Sequence, residues 1–138
     1  MRLRWIILGV VLAVYGCGGG GPRTVPVSGR VQLNGQPLPD AQVIFRPDSK
    51  ELSPGPASYG KTDAQGRFVL RTMDGRDGAV VGPHKVRISL PVKAAGGGDD
   101  APAANKLPAR YSGDNTILTF TVHEGGTNEA DFLNLTSR

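Results

Sequence analysis

The sequence has 138 residues, enough for one domain once its N-terminal segment is set apart, and its 20 Gly and 11 Pro favour a turn-rich chain over a large helical one. The formal charge is +4, and setting Arg2 and Arg4 aside with the N-terminal segment leaves 14 basic against 12 acidic side chains, about +2. That balance argues against a nucleic-acid partner: no Lys/Arg cluster exists, and Arg30, Arg46, Lys61 and Arg71 are scattered along expected strands, where they read as solvated sheet faces.

Met1, Arg2 and Arg4 make a positive start, followed by an apolar run from Trp5 to Tyr15. About 11 residues suit a signal peptide and fall well short of the roughly 20 that span a bilayer. The run stops at Gly16-Cys17-Gly18-Gly19-Gly20-Gly21-Pro22, and Val14-Tyr15-Gly16-Cys17 resembles the lipobox of bacterial lipoproteins. The resemblance implies cleavage between Gly16 and Cys17, a diacylglyceryl group on the Cys17 thiol and acylation of the new amino group. Residues 1–16 are then a signal-peptide helix, and residues 17–24 a lipidated Cys17 with a flexible tether. Two or three acyl chains hold a protein stably on a bilayer, at about 0.8 kcal/mol per buried methylene. Gly18 stands where Asp would mark retention, which implies outer-membrane delivery if the host has two membranes. As the sole cysteine, Cys17 leaves no partner for an internal disulfide.

From Val25 the hydropathy period is two. Val25, Val27, Gly29, Val31 and Leu33 fall on one side, which predicts a half-buried strand ending at the Asn34-Gly35 turn. Ala41, Val43 and Phe45 predict a second strand, and Ser58 to Thr62 with Arg67 to Thr72 a hairpin about Asp63-Ala64-Gln65-Gly66, with Phe68 and Leu70 inward. His84 to Leu90 follows with Val86, Ile88 and Leu90 inward. Lys93 to Asn105 is poor in bulky residues and reads as a flexible insertion at about 92–106. Ile117 to Val122 and Asn128 to Leu135 are expected to pair through a Gly125-Gly126 turn. No segment after the signal peptide has a convincing helical period. These seven stretches predict an all-β domain over residues 25–138, a seven-stranded Greek-key-like β-sandwich.

Three stretches carry a further resemblance: Val27 to Phe45 (VSGRVQLNGQPLPDAQVIF), Thr62 to Phe68 (TDAQGRF) and Gly82 to Ile88 (GPHKVRI). Together with Leu107-Pro-Ala-Arg-Tyr111 and the closing strands, they resemble the carboxypeptidase regulatory-like, transthyretin-related domain of small planctomycete-type lipoproteins. The resemblance implies a β-sandwich and no activity of its own. The related hydroxyisourate hydrolases use several His and Arg residues and a terminal Tyr-Arg-Gly-Ser, which this sequence, closing Leu135-Thr-Ser-Arg138, does not carry.

Candidate chemistry is sparse. His84 and His123 lack a Cys or second His at metal-ligand spacing and read as strand-end residues. Asp63 with Gln65, or Asp74 with Asp77, offers oxygen ligands for a loop calcium site but no complete binding loop, so Asp63, Asp74 and Asp77 read first as turn residues. Glu124 and Glu129 read as solvated charges, and no Ser lies in a nucleophile elbow. The expectation is a non-enzyme without a cofactor. It is held to membrane lipid through Cys17 and engages another envelope protein, with no small-molecule substrate in view. The alternative is a carbohydrate- or cell-wall-binding module, whose aromatic platform would need Tyr59 and Tyr111.

Overall fold

Pro26 cannot donate a hydrogen bond, and it divides the first expected strand into β1 (Thr24–Val25) and β2 (Val27–Leu33). The computed structural model describes residues 21–48, 50, 54–90, 107–125 and 127–138. The expected signal-peptide helix, Cys17 and the insertion at 92–106 lie outside the described residues. After β2 come β3 (Gln36–Pro37), β4 (Gln42–Pro47), β5 (Ser58–Lys61), β6 (Arg67–Val69), β7 (Arg71–Thr72), β8 (Ala79–Val80) and β9 (Gly82–Ser89). Helix α1 (Ala109–Ser112) precedes β10 (Thr119–Val122), β11 (Asn128–Glu129) and β12 (Phe132–Leu135). Each of the seven expected stretches holds strand, and β3 and β8 are short additions. Among the described residues no helix is long and apolar enough to cross a membrane.

The strands form a sandwich of two main sheets. Sheet I is antiparallel, in the order β10-β9-β4-β5-β7. In sheet II, β2 is central: β3 and β6 pair antiparallel with it, and β11 and β12 pair parallel. Val43, Phe45, Val86, Ile88 and Val122 from sheet I meet Val27, Val31, Phe68 and Leu135 from sheet II in one core. Phe45 is at its middle, with ring centroids 6.4 Å from Phe68, 5.8 Å from Phe120 and 6.4 Å from Phe132. The Asn34-Gly35 turn takes positive φ at both residues, 52° and 78°, the geometry that links β2 to β3.

Two expected pairings are corrected. Arg67 to Thr72 is not one arm of a simple hairpin: β7 pairs with β5 through Ser58–Thr72 and Tyr59–Arg71, whereas β6 pairs with β2. Phe68 and Leu70 are both buried, and Leu70 N–H bonds the Val27 carbonyl at 2.9 Å, so this one extended segment joins both sheets. Nor do the last two expected strands pair with each other. β10 adds to β9, and the chain then crosses to sheet II, where β11 and β12 bury Leu135 and part of Phe132 beside β2. Asn128 braces the crossing: its Oδ1 accepts from His123 N–H at 2.8 Å and its Nδ2 donates to the His123 carbonyl at 2.9 Å.

Two further expectations change. The one-turn helix α1 was not expected, because four residues are too few for a helical period; it inserts Tyr111 into the core. Pro22 to Thr24, expected within the flexible tether, are held to the domain. The Pro22 carbonyl accepts from Arg76 Nη1 at 2.9 Å, the Arg23 carbonyl accepts from Val81 N–H at 3.0 Å, and Thr24 pairs with Val80.

The parallel crossing requires close backbone approach at Gly29, where an added Cβ would stand 2.0 Å from the Ala130 carbonyl oxygen and 2.6 Å from its carbon. Gly29→Ala must push β2 and the β11–β12 linker apart, and a loss of at least about 1–3 kcal/mol is expected in denaturant unfolding. At Gly125 an added Cβ meets nothing within 4 Å, and Gly125→Ala should stay within about 0.5 kcal/mol of wild type. Equal stability of the two variants would contradict this packing.

Candidate interaction surface

Burying Phe45 fixes what its neighbours do. Alternation along β4 turns Gln42, Ile44 and Arg46 to the outer face of sheet I. The same alternation turns Tyr59 and Lys61 outward on β5, Arg71 on β7, and Pro83, Lys85 and half-buried Arg87 on β9. Register then aligns them: Ile44 lies opposite Tyr59 on one side and Arg87 on the other, Tyr59 lies opposite Arg71, and Arg46 opposite Lys85.

The result is a row Arg87–Ile44–Tyr59–Arg71 across four strands, with an apolar pair between two guanidinium groups. At one edge of it, Val69 at the end of β6 and Met73 just after β7 add apolar surface. Tyr59 is 50% exposed, Val69 70% and Met73 71%. With Gln42, Ile44, Lys61 and Arg71 these three line a shallow groove of about 620 Å³. Beside it a polar cleft of about 540 Å³ is lined by Arg46, Lys85, Arg87, Asp48 and Asp114. Large apolar side chains thus cluster on a solvent face and are rimmed by charge.

The cations of this face are paired at its margins with carboxylates from loops. Arg87 and Arg46 approach Asp114 at 3.1 and 3.5 Å, Lys61 approaches Asp40 at 3.4 Å, Arg71 approaches Asp77 at 3.5 Å, and Lys85 approaches Asp48 at 4.0 Å. All are solvent-exposed, so each contributes little stability, about 0–1 kcal/mol. Arg46, Lys61 and Arg71, scattered in sequence, are gathered here by register. Arg30 lies apart on sheet II, bound to Asp131 at 3.0 Å.

The chain matches no family model, no curated protein and no solved structure. The geometry of its own residues therefore carries the functional reading.

The other candidate residues have local roles. Asp63 Oδ1 accepts from the Gln65 and Arg67 backbone N–H groups, both at 2.9 Å, and so caps its turn. Asp74 accepts from Arg76 and from Thr72 Oγ1, and the Arg76 guanidinium, with the Thr72 hydroxyl, brings its carboxyl down to about 2. Asp77 pairs with Arg71. These three carboxylates do not converge, and among the described residues no group of three His, Cys, Asp or Glu side chains is placed to hold a metal ion. Glu124 bonds Arg23 at 2.7 Å, while Glu129 and His123 are exposed. Tyr111 is buried, lies under Arg110, and accepts from Thr136 N–H at 3.3 Å through its hydroxyl, which removes it from any exposed platform.

His84 corrects the sequence reading outright. It is no strand-end residue but a core one, 1% exposed, with its ring 5.7 Å from that of Phe45. Nδ1 lies 2.9 Å from the Gly82 carbonyl, to which it donates in the neutral ring. Nε2 is buried without a hydrogen-bond partner in the described structure. Alternation from Val86 and Ile88 would have placed His84 inward, but its polarity hid this. Burial depresses its pKa, and the Gly82 bond only partly opposes that.

The sign of the pH effect follows. Below the usual imidazole value of 6.5 the unfolded chain takes up a proton that the folded chain resists, so stability holds above 6.5 and falls as pH drops below it. Denaturant unfolding between about pH 7 and 5 should reveal this loss, and His84→Phe should reduce it. An unchanged slope in the variant would contradict it.

Proposed function

We propose that this chain is an exported lipoprotein of the carboxypeptidase regulatory-like, transthyretin-related kind, anchored through acylated Cys17, whose sandwich is a non-catalytic protein-interaction module. The outer face of sheet I is its docking surface. The observation that carries this reading is the cluster of exposed Tyr59, Val69 and Met73 around half-buried Ile44, set between strand-borne cations on a face outside the core. An exposed apolar cluster of this kind is stabilised when another surface covers it.

The attachment of Pro22 strengthens the geometry. With its carbonyl bound to Arg76, only residues 18–21 lie between Cys17 and the domain, a reach of at most about 18 Å. The docking face is thus carried close to the lipid, on the outer membrane if the host has two, and meets partners of the envelope. The carbohydrate reading draws little support, because Tyr111 is internal and Tyr59 is left as the one strongly exposed aromatic among the described residues.

Photo-crosslinking amino acids placed in the full-length chain in cells test this. Positions Tyr59 and Met73 should each yield the same discrete protein adduct, whereas positions Ser28 and Glu129 on sheet II should not. Intact mass should give a chain that begins at acylated Cys17. Equal adducts from both faces, or none from Tyr59 and Met73, would overturn the docking surface, and a chain still beginning at Met1 would overturn the anchor.

A further inference from the structure

We infer that the segment seated on sheet I is an extended acidic peptide of the form acid-x-apolar-x-acid, lying across the strands; this rests on the docking surface proposed above. The first argument is charge. Arg46, Lys61, Arg71, Lys85 and Arg87 project outward from the strands of sheet I, and no carboxylate does. Every negative charge near the face belongs to a loop at its margin, and Asp77 and Asp114 have side chains 82% and 80% exposed. Such loose pairs exchange readily for an incoming carboxylate.

The second argument is spacing. Arg87, Ile44, Tyr59 and Arg71 are direct cross-strand neighbours on four consecutive strands. Strands lie about 4.8 Å apart, so the two guanidinium groups arise from backbones about 14 Å apart, with the apolar pair midway. An extended peptide turns side chains i, i+2 and i+4 to one face and advances about 13 Å over those four steps. Carboxylates at i and i+4 therefore reach Arg87 and Arg71 while an apolar side chain at i+2 lies on Ile44 and Tyr59. Arg87 is held in place by its Nε, which donates to the Ser112 carbonyl at 3.0 Å, and its Nη1, which donates to exposed Asp114 at 3.1 Å.

A bilayer fits the same face less well. Asp40, Asp48, Asp77 and Asp114 stand around its edge and would oppose a flat anionic surface, whereas a single strand of peptide passes between them.

The test uses the full-length chain in neutral detergent and a fluorescein-labelled peptide of sequence Glu-Ala-Leu-Ala-Glu, with Lys-Ala-Leu-Ala-Lys as control. Anisotropy should show saturable, salt-sensitive binding of the acidic peptide only. Arg71→Glu should weaken it about tenfold or more and allow the Lys peptide to bind, and the milder Arg71→Gln should weaken it while leaving the thermal melt unchanged. Equal binding of both peptides, no saturation at millimolar peptide, or indifference to Arg71→Glu would overturn the inference. So would Arg71-dependent binding to phosphatidylglycerol vesicles without peptide binding, which would assign the face to lipid. Crosslinks from Tyr59 that survive Arg71→Glu and Arg87→Glu would leave the docking surface standing and remove only the acidic motif, whereas their absence in the parent chain would remove both.

Discussion

Phe45 is the residue on which the rest of the structure depends. Its ring joins Phe68 and Phe132 of sheet II to His84 and Phe120 of sheet I, and its burial fixes the register of β4. Side chains alternate along a strand, so a slip of one residue would carry Ile44 and Arg46 into the core and Phe45 into water. The phase that makes the core also makes the outer face. That Ile44 faces outward is the direct consequence of burying its neighbour.

The two faces of sheet I follow different rules. Inside, Val43, Phe45, Val86 and Ile88 pack without exposed surface, and the buried Thr62 hydroxyl bridges Leu38 and Ala41 by donating to one at 2.6 Å and accepting from the other at 2.8 Å. Outside, five cations surround an apolar pair, and their partners are exposed surface carboxylates that contribute little to folding. Four loop carboxylates pair with the five cations at the margin, and the strands of the sheet carry none of their own. Stability resides in the inner layer, so substitutions on the outer face can be made without unfolding the sandwich.

Much of this arrangement was legible beforehand, and the misses share a cause. Period-two alternation located Val27, Val31, Val43, Phe45, Phe68, Leu70, Val86 and Ile88 inside, where they are. Alternation states which side a residue faces and not which strand lies beside it. The switch of Arg67 to Thr72 between sheets, and the parallel pairing of β11 and β12 with β2, depend on contacts between residues about 40 and 100 positions apart in sequence. The outer row of sheet I is invisible in the sequence for the same reason, because Ile44, Tyr59, Arg71 and Arg87 come from four separate strands. The burial of His84 is hidden by its polarity although its position in an alternating run points inward, and that of Tyr111 because a single helical turn leaves no periodic trace.

If the outer face of sheet I is a docking surface, its residues must be covered where the protein works. Met73 reports on this directly, because it is 71% exposed in the isolated chain and is the sequence's only methionine besides Met1. Its oxidation rate by dilute peroxide should be compared, by mass spectrometry, between intact envelopes and the purified full-length chain. The account predicts slower oxidation in the envelope, with protection lost in Ile44→Asp. Equal rates in the two settings would contradict it.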